Sequence, residues 1–446
     1  MLIYTPQISA RIQYIFRFVF DELLGINYVI TDNLKIFERA NQPKLLYSQT
    51  YIQTSALFLK ASPLLFETGI KNQNIEVFAF KKSKAFFKTD KHSFFGFDIF
   101  AASFYLLSRY EEYLPYTPDK FGRFPAHQSL AVKHLFIEQP VINLWVEYFK
   151  TALLKHYSGL KFKQNKFRFL STIDIDNAYA YLHKGFLRSI LSFIKLFITL
   201  NFSELVEKTA VHLHLRKDPY DTYDYLIKIQ KKYDLQVIYF FLTANYGKYD
   251  KNISPKGKTF KKLVKKTAEK FFVGIHPSFA SNKYPGRLKK EKIRLEKLTG
   301  QKIIRSRQHF LILKMPETYQ NLIKSEIKED YSMGFAETPG FRAGTCTPFF
   351  FFDLTKNREE DLKIIPFSVM DVGLKDYKKY NTLQAEEKIK KIVKNVKKVN
   401  GLFVSLWHNE SLGTKKRWNG WKTVFQKMIE LAQNTNGNQI PDTKGN

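Results

Sequence analysis

The chain is expected to be an α/β protein: repeated strand–helix units in its second part predict a parallel sheet with helices outside, open or closed into a barrel, preceded by a smaller α/β segment. Three observations lead there. Short β-branched or aromatic runs alternate with helical periodicity from residue 167 onward. Several of those runs end abruptly in His, Asp or Arg, and the C-terminal ends of parallel strands are where active sites gather. A length of 446 residues exceeds one ordinary domain, and 44% hydrophobic with 16% aromatic residues can fill the cores of two.

Residues 1–160 mix short apolar strands, Tyr28-Val29-Ile30 and Ile75-Glu76-Val77-Phe78-Ala79-Phe80, with a helix expected over 98–113. The end of that helix carries Arg109, Glu111 and Glu112, with Arg123 in the turn beyond, and suits an ion-paired helix terminus or a charged pocket. Nothing in this part supplies a catalytic set. The polar run 158–166 is the expected boundary, which gives an N-terminal domain at 1–160, a second domain at 165–435 and a disordered tail at 436–446. In the second domain, strands expected at 167–173, 237–243, 272–275, 303–304 and 401–407 are interspersed with helices at 219–233, 260–270 and 289–298.

The formal net charge of +31 is spread through nearly every segment and is carried mostly by Lys, whereas readers of nucleic-acid sequence concentrate Arg and Lys on one element. No specific nucleic-acid partner is therefore expected; attraction to anionic surfaces or polymers is the more natural consequence. The single cysteine, Cys346, excludes an intramolecular disulfide and a cysteine-based zinc site, and its apolar surroundings suit a structural role. The first residues lack a basic start followed by an apolar run and a cleavage site, so a cytoplasmic location is expected. The apolar run 186–202 is broken by Arg188 and Lys195 and is short for a transmembrane segment; the expectation is an amphipathic helix packed on the core rather than one lying on a membrane.

The strand at 167–173 runs straight into Asp174-Ile175-Asp176. Side chains alternate along a strand, so both carboxylates leave the backbone on one side. Such a like-charged pair suits a cation site or a base with a raised pKa, and equally a strand end that caps the following helix. After Gly274-Ile275 comes His276, after Ile303-Ile304 comes Arg305-Ser306-Arg307-Gln308-His309, and Gly401-Leu402-Phe403-Val404-Ser405-Leu406-Trp407 runs into His408-Asn409-Glu410. Repetition of the pattern is harder to attribute to chance than any one end. Any metal must use His and carboxylate ligands.

This set resembles the polysaccharide deacetylases, the NodB-like members of carbohydrate esterase family 4, over roughly 167–412. The resemblance implies a distorted (β/α) barrel of the NodB type. It also implies a hydrolase acting on carbon–nitrogen bonds, which removes an acyl group, typically acetyl, from N-acylated sugars or polysaccharides. One Asp and two His would hold a divalent metal, zinc by default. Ser171-Thr172-Ile173-Asp174-Ile175-Asp176 matches the first motif, with Asp174 as base and Asp176 as ligand. Arg342 matches the arginine that orients the base, Leu406-Trp407-His408 the motif whose histidine is the general acid, and Asp371 the acidic residue paired with that histidine. The second motif, His-x-x-x-His, departs: four residues beyond His276 stands Ala280. His276 remains the implied ligand, and His309 is the candidate for the missing imidazole. A sugar-binding pseudoenzyme that lost this histidine is the alternative, with a basic polyanion or membrane-surface binder behind it.

The chemistry asks for these residue types independently: amide hydrolysis needs a Lewis acid at the carbonyl oxygen, a base for water and an acid for a poor amine leaving group.

Overall fold

The computed structural model describes residues 1–284 and 286–434; the tail expected at 436–446 lies outside them. In the first part, strands β1 (Leu2–Tyr4), β2 (Val29–Thr31), β3 (Lys44–Ser48) and β4 (Leu57–Lys60) form a parallel sheet in the order β2-β1-β3-β4. Strands β5 (Phe78–Phe80) and β6 (Ser83–Ala85) form a separate antiparallel pair. Helices α1 (Ala10–Phe16), α2 (Ile99–Leu107) and α3 (Val141–His156) pack against them.

Every residue of α2 is buried, as a helix apolar on nearly all sides requires. Asp98 caps it by accepting from the Phe100 and Ala101 amides at 3.1 and 3.0 Å. The helix stops earlier than its sequence suggests because Arg109 takes a left-handed conformation, φ 54°, and a single tight turn, Tyr110–Glu112, follows.

The second sheet contains nine strands: β7 (Arg168–Ile175), β8 (Val237–Phe241), β9 (Phe272–Ile275), β10 (Arg305–Ser306), β11 (Glu329–Asp330), β12 (Phe349–Asp353), β13 (Arg358–Ile364), β14 (Val369–Met370) and β15 (Leu402–His408). Their order is β12-β13-β11-β10-β9-β8-β7-β15-β14, and every pairing is parallel except β12 with β13. The expected strand at 303–304 sits two residues later, at β10. Between the strands lie α4 (Phe186–Ile198), α5 (Phe202–His212), α6 (Tyr223–Lys232), α7 (Lys258–Ala268), α8 (Gly286–Thr299), α9 (Glu317–Lys324) and α10 (Thr382–Lys397), with α11 (Trp421–Gln433) after the last.

One expectation is overturned here. No residue of α4 is buried, so this helix does not pack on the core. Its inward side is held by polar ties to α5 instead: Lys208 donates to the Ser189 carbonyl at 2.8 Å and its ammonium lies 3.8 Å from the Phe193 ring centre. No helix among the described residues is long and apolar enough to cross a membrane.

The second sheet separates two apolar layers. Ile173, Ile175, Tyr239, Phe241 and Phe403 face the layer that also takes in the outer helices and the first part's core, where Phe104 meets Phe352 edge-on at 5.1 Å. Ile238, Phe240, Tyr331, Val404 and Leu406 face the other. Register places Asp174 opposite Phe240 and His408 opposite Asp174. By alternation, Asp174 and His408 leave the sheet on the Phe240 side, at its C-terminal edge.

Candidate metal centre

Five strand ends, those of β7, β9, β10, β14 and β15, come together at this edge. Ile275 pairs with Ser306, so His276 and Arg307 follow side by side, and Met370 pairs with Leu406, which leaves Asp371 one step past β14 within hydrogen-bond reach of His408. Asp176 continues the alternation of Asp174 one step past β7. Asp174, Asp176, His276 and His408 line a cavity of about 250 Å³, shared with Tyr249 and Trp418.

Asp176, His276 and His309 present ligand atoms that all lie within 4.8 Å of one another. His276 Nε2 is 3.0 Å from one Asp176 oxygen and His309 Nε2 is 3.3 Å from the other. The two imidazole rings are 5.0 Å apart, centre to centre. Each ring is fixed from behind: His276 Nδ1 donates to the Arg307 carbonyl at 2.5 Å, and His309 Nδ1 meets Asp250 Oδ1 at 2.9 Å. A carbonyl only accepts, so His276 carries its proton on Nδ1 and turns the Nε2 lone pair to the cavity. Asp176 Oδ1 is buried without a hydrogen-bond partner although an imidazole nitrogen stands 3.0 Å away, because the geometry is not that of a hydrogen bond. Donor atoms that converge without bonding one another fit a divalent cation, whose tetrahedral ligands at about 2.0–2.2 Å would sit roughly 3.4 Å apart.

The charges respond to one another. Burial alone would raise the Asp176 carboxyl, but the His309 and His276 imidazoles hold it well below the usual carboxylate range. Burial alone would lower His309; Asp176 and Asp250 instead push it up to about 9. His408 likewise rises to about 10 against its burial, chiefly through Asp371, with Asp176 and Asp174 beyond.

His408 Nδ1 meets Asp371 Oδ1 at 2.8 Å, and Asp371 also accepts from the His408 amide at 2.8 Å. The His408 ring therefore turns Nε2 to the cavity, 3.6 Å from Asp176. Asp174, fully buried, lies 3.8 Å from His276 Nε2 and 3.5 Å from the Arg307 guanidinium.

Arg342 is the site residue that the structure places elsewhere. Its guanidinium pairs with Glu112 at 2.5 and 2.8 Å and donates to the Gly334 carbonyl at 3.1 Å. Glu112, buried behind Arg109, attracts it: burial would raise that carboxyl, and Arg342 and Arg109 together hold it down. The arginine against Asp174 is Arg307, buried between the Phe240 and Phe367 rings. Its sequence signal was present, an arginine immediately after a short strand, but the strand lies two residues later than its sequence suggests. Asp250 follows Gly247-Lys248-Tyr249 in a loop and carried no signal. Arg123, which the sequence offered only as part of a charged cluster in the first part, reaches the cavity from there and donates to the Phe310 carbonyl at 2.9 Å. Cys346 is buried, and its thiol is pushed up to about 12 by desolvation, which suits packing rather than nucleophilic chemistry.

Residues 1–158 match the model described as "Family of unknown function (DUF7033)". No curated protein matches the chain in sequence. Similar solved structures include a Mycobacterium smegmatis protein assigned as a polysaccharide deacetylase (11% identity, TM-score 0.40, 62% of this chain and 87% of that one) and a polysaccharide deacetylase from Bacillus cereus (14%, 0.29, 59% and 86%). A 4-alpha-glucanotransferase from Thermococcus litoralis is similar over 60% of this chain and 37% of its own (12%, 0.35), and CE4 family pseudoenzymes are also among the similar structures.

Proposed function

We propose that residues 165–435 form a NodB-type barrel domain that hydrolyses an N-acyl group, typically acetyl, on a sugar or polysaccharide, with a divalent metal such as zinc held by Asp176, His276 and His309. The observation that carries the proposal is the convergence of these three ligands in one cavity with a second carboxylate, Asp174, and an acid-backed imidazole, His408. A bound divalent ion would supply the Lewis acid that polarises an amide carbonyl and lowers the pKa of a water.

The chain's own residues do the rest. Asp174 accepts the proton of the attacking water; Arg307 beside it balances its charge and restricts its rotamer. His408, held protonated by Asp371, delivers a proton to the departing amine. A strongly basic amine leaves only when protonated, so the histidine must bring a proton, and the Asp371 carboxylate behind its ring favours the protonated form. Asp371 fixes the His408 ring, and the Arg307 carbonyl and Asp250 fix the two ligand imidazoles.

The test is metal analysis of purified protein together with acetate release from a panel of N-acetylated sugars and oligosaccharides. Close to one divalent ion per chain and metal-dependent acetate release are expected, both lost in Asp176→Ala. Metal without turnover on any substrate would favour the sugar-binding pseudoenzyme; no metal at all would refute the site.

A further inference from the structure

From the outward face of α4 we infer that this chain docks on anionic lipid bilayers, with α4 lying in the plane of the membrane surface. Leu187, Ile190, Leu191, Ile194 and Ile198 recur at the spacing of one helical face and are exposed, Leu187 by 69% and Ile198 by 72%. Phe186 and Phe197 flank them at 84% and 64%. An apolar stripe of this size left to water is the mark of an interaction surface. Arg188 and Lys195, seven residues apart, lie along one border of the stripe, and 186–200 contains no acidic residue. Residues 183–217, which include the α4–α5 pair, hold six Lys or Arg against two Glu.

Charge selects the occupant. A second copy would bring another chain of net charge +31 against the same basic border, whereas an anionic headgroup layer complements it while the acyl boundary takes the apolar stripe. Thirteen helical residues span about 20 Å, too short to cross the hydrocarbon layer, so the helix lies on the surface. The stripe stays outward because α4 is tied down behind it by Lys208 on the Ser189 carbonyl and along its border by Arg188, which donates to the Lys251 and Asn252 carbonyls at 3.1 and 3.2 Å and covers the Tyr246 ring at 3.9 Å. Lys251 lines the metal-centre cavity, so docking through α4 would hold that cavity close to the bilayer.

The experiment is co-sedimentation of the full chain with vesicles of phosphatidylcholine alone or mixed with phosphatidylglycerol, at low and high salt. Binding to mixed vesicles, weakened by salt and by omission of the anionic lipid, is expected. Leu191→Asp with Ile194→Asp should reduce it by about tenfold or more, and Lys195→Glu by about fivefold. All three positions are exposed, so unchanged circular dichroism and melting temperature confirm that the fold is kept. Equal binding to neutral vesicles, or none to either, overturns the inference. So does a wild-type dimer in sedimentation equilibrium that the double variant dissociates while vesicle binding is unaltered, since a second copy would then cover the face.

Discussion

Two carboxylates two residues apart meet opposite surroundings. Asp176 stands between two imidazoles at the cavity, while Asp174 is buried against Arg307 with a more distant approach to His276. If Asp176 holds the ion and Asp174 takes the proton, the two functions separate by substitution. Asp174→Asn is nearly isosteric; metal content should stay at the wild-type level while turnover falls by roughly a hundredfold to ten-thousandfold. Parallel metal analysis and steady-state rates check this, and wild-type turnover would exclude Asp174 as base. The His408–Asp371 pair gives a pH test. Asp371 is the main group holding His408 protonated up to about 10, so Asp371→Asn lowers the pKa at which His408 loses its proton. An acid catalyst works only while protonated, so the alkaline limb of the kcat profile should move to lower pH, read from rates between neutral and alkaline pH.

Strand alternation puts the reactive groups on one side, and small residues let the strands approach. On β9, Gly274 faces the Phe240 ring: a Cβ added there would lie 2.4 Å from the ring and 3.0 Å from the Arg305 carbonyl, in the layer directly beneath the site. Gly274→Ala should therefore destabilise by roughly 1–3 kcal/mol, as overpacking does, measured as a lowered urea midpoint at unchanged slope. The helices show the converse. α10 buries Ala385, Ile389, Ile392, Val393 and Val396 on its inner face, whereas α4, with a comparable stripe, buries nothing. Amphipathic pattern identifies a face that wants cover, but not what covers it.

The two parts of the chain share one apolar core and a buried ion network. Arg109 bonds Glu111 and Glu112 at 2.7 Å each, Arg342 pairs with Glu112 from the other part, and the Arg109 guanidinium also reaches the Arg342 carbonyl. Arg342→Met would leave a buried carboxylate with one cation instead of two. The expected loss is about 3 kcal/mol, the low end for breaking a buried pair, because Arg109 remains. Urea unfolding checks it, and the folded variant should keep its divalent metal and its turnover per molecule; a specific loss of turnover would return Arg342 to the catalytic group.

Much of the candidate site was legible because it is local. Period-two alternation puts Asp174 and Asp176 on one side, and an apolar run that ends in His or Asp marks a strand end, so Asp176, His276, His309 and His408 could be nominated from short stretches of chain, whereas Asp371 entered only through the family resemblance. What depends on distance along the chain was not legible. Arg307 rather than Arg342 stands by Asp174 because β10 begins two residues later than its apolar run and because Glu112, some 230 positions away, claims Arg342. Asp250 behind His309 and Arg123 at the cavity wall arrive through loops with no periodicity to announce them. Whether an apolar helical stripe is buried follows from which neighbours reach it, and on α4 none does. Local periodicity specifies which way a side chain leaves the backbone; only packing decides what it meets.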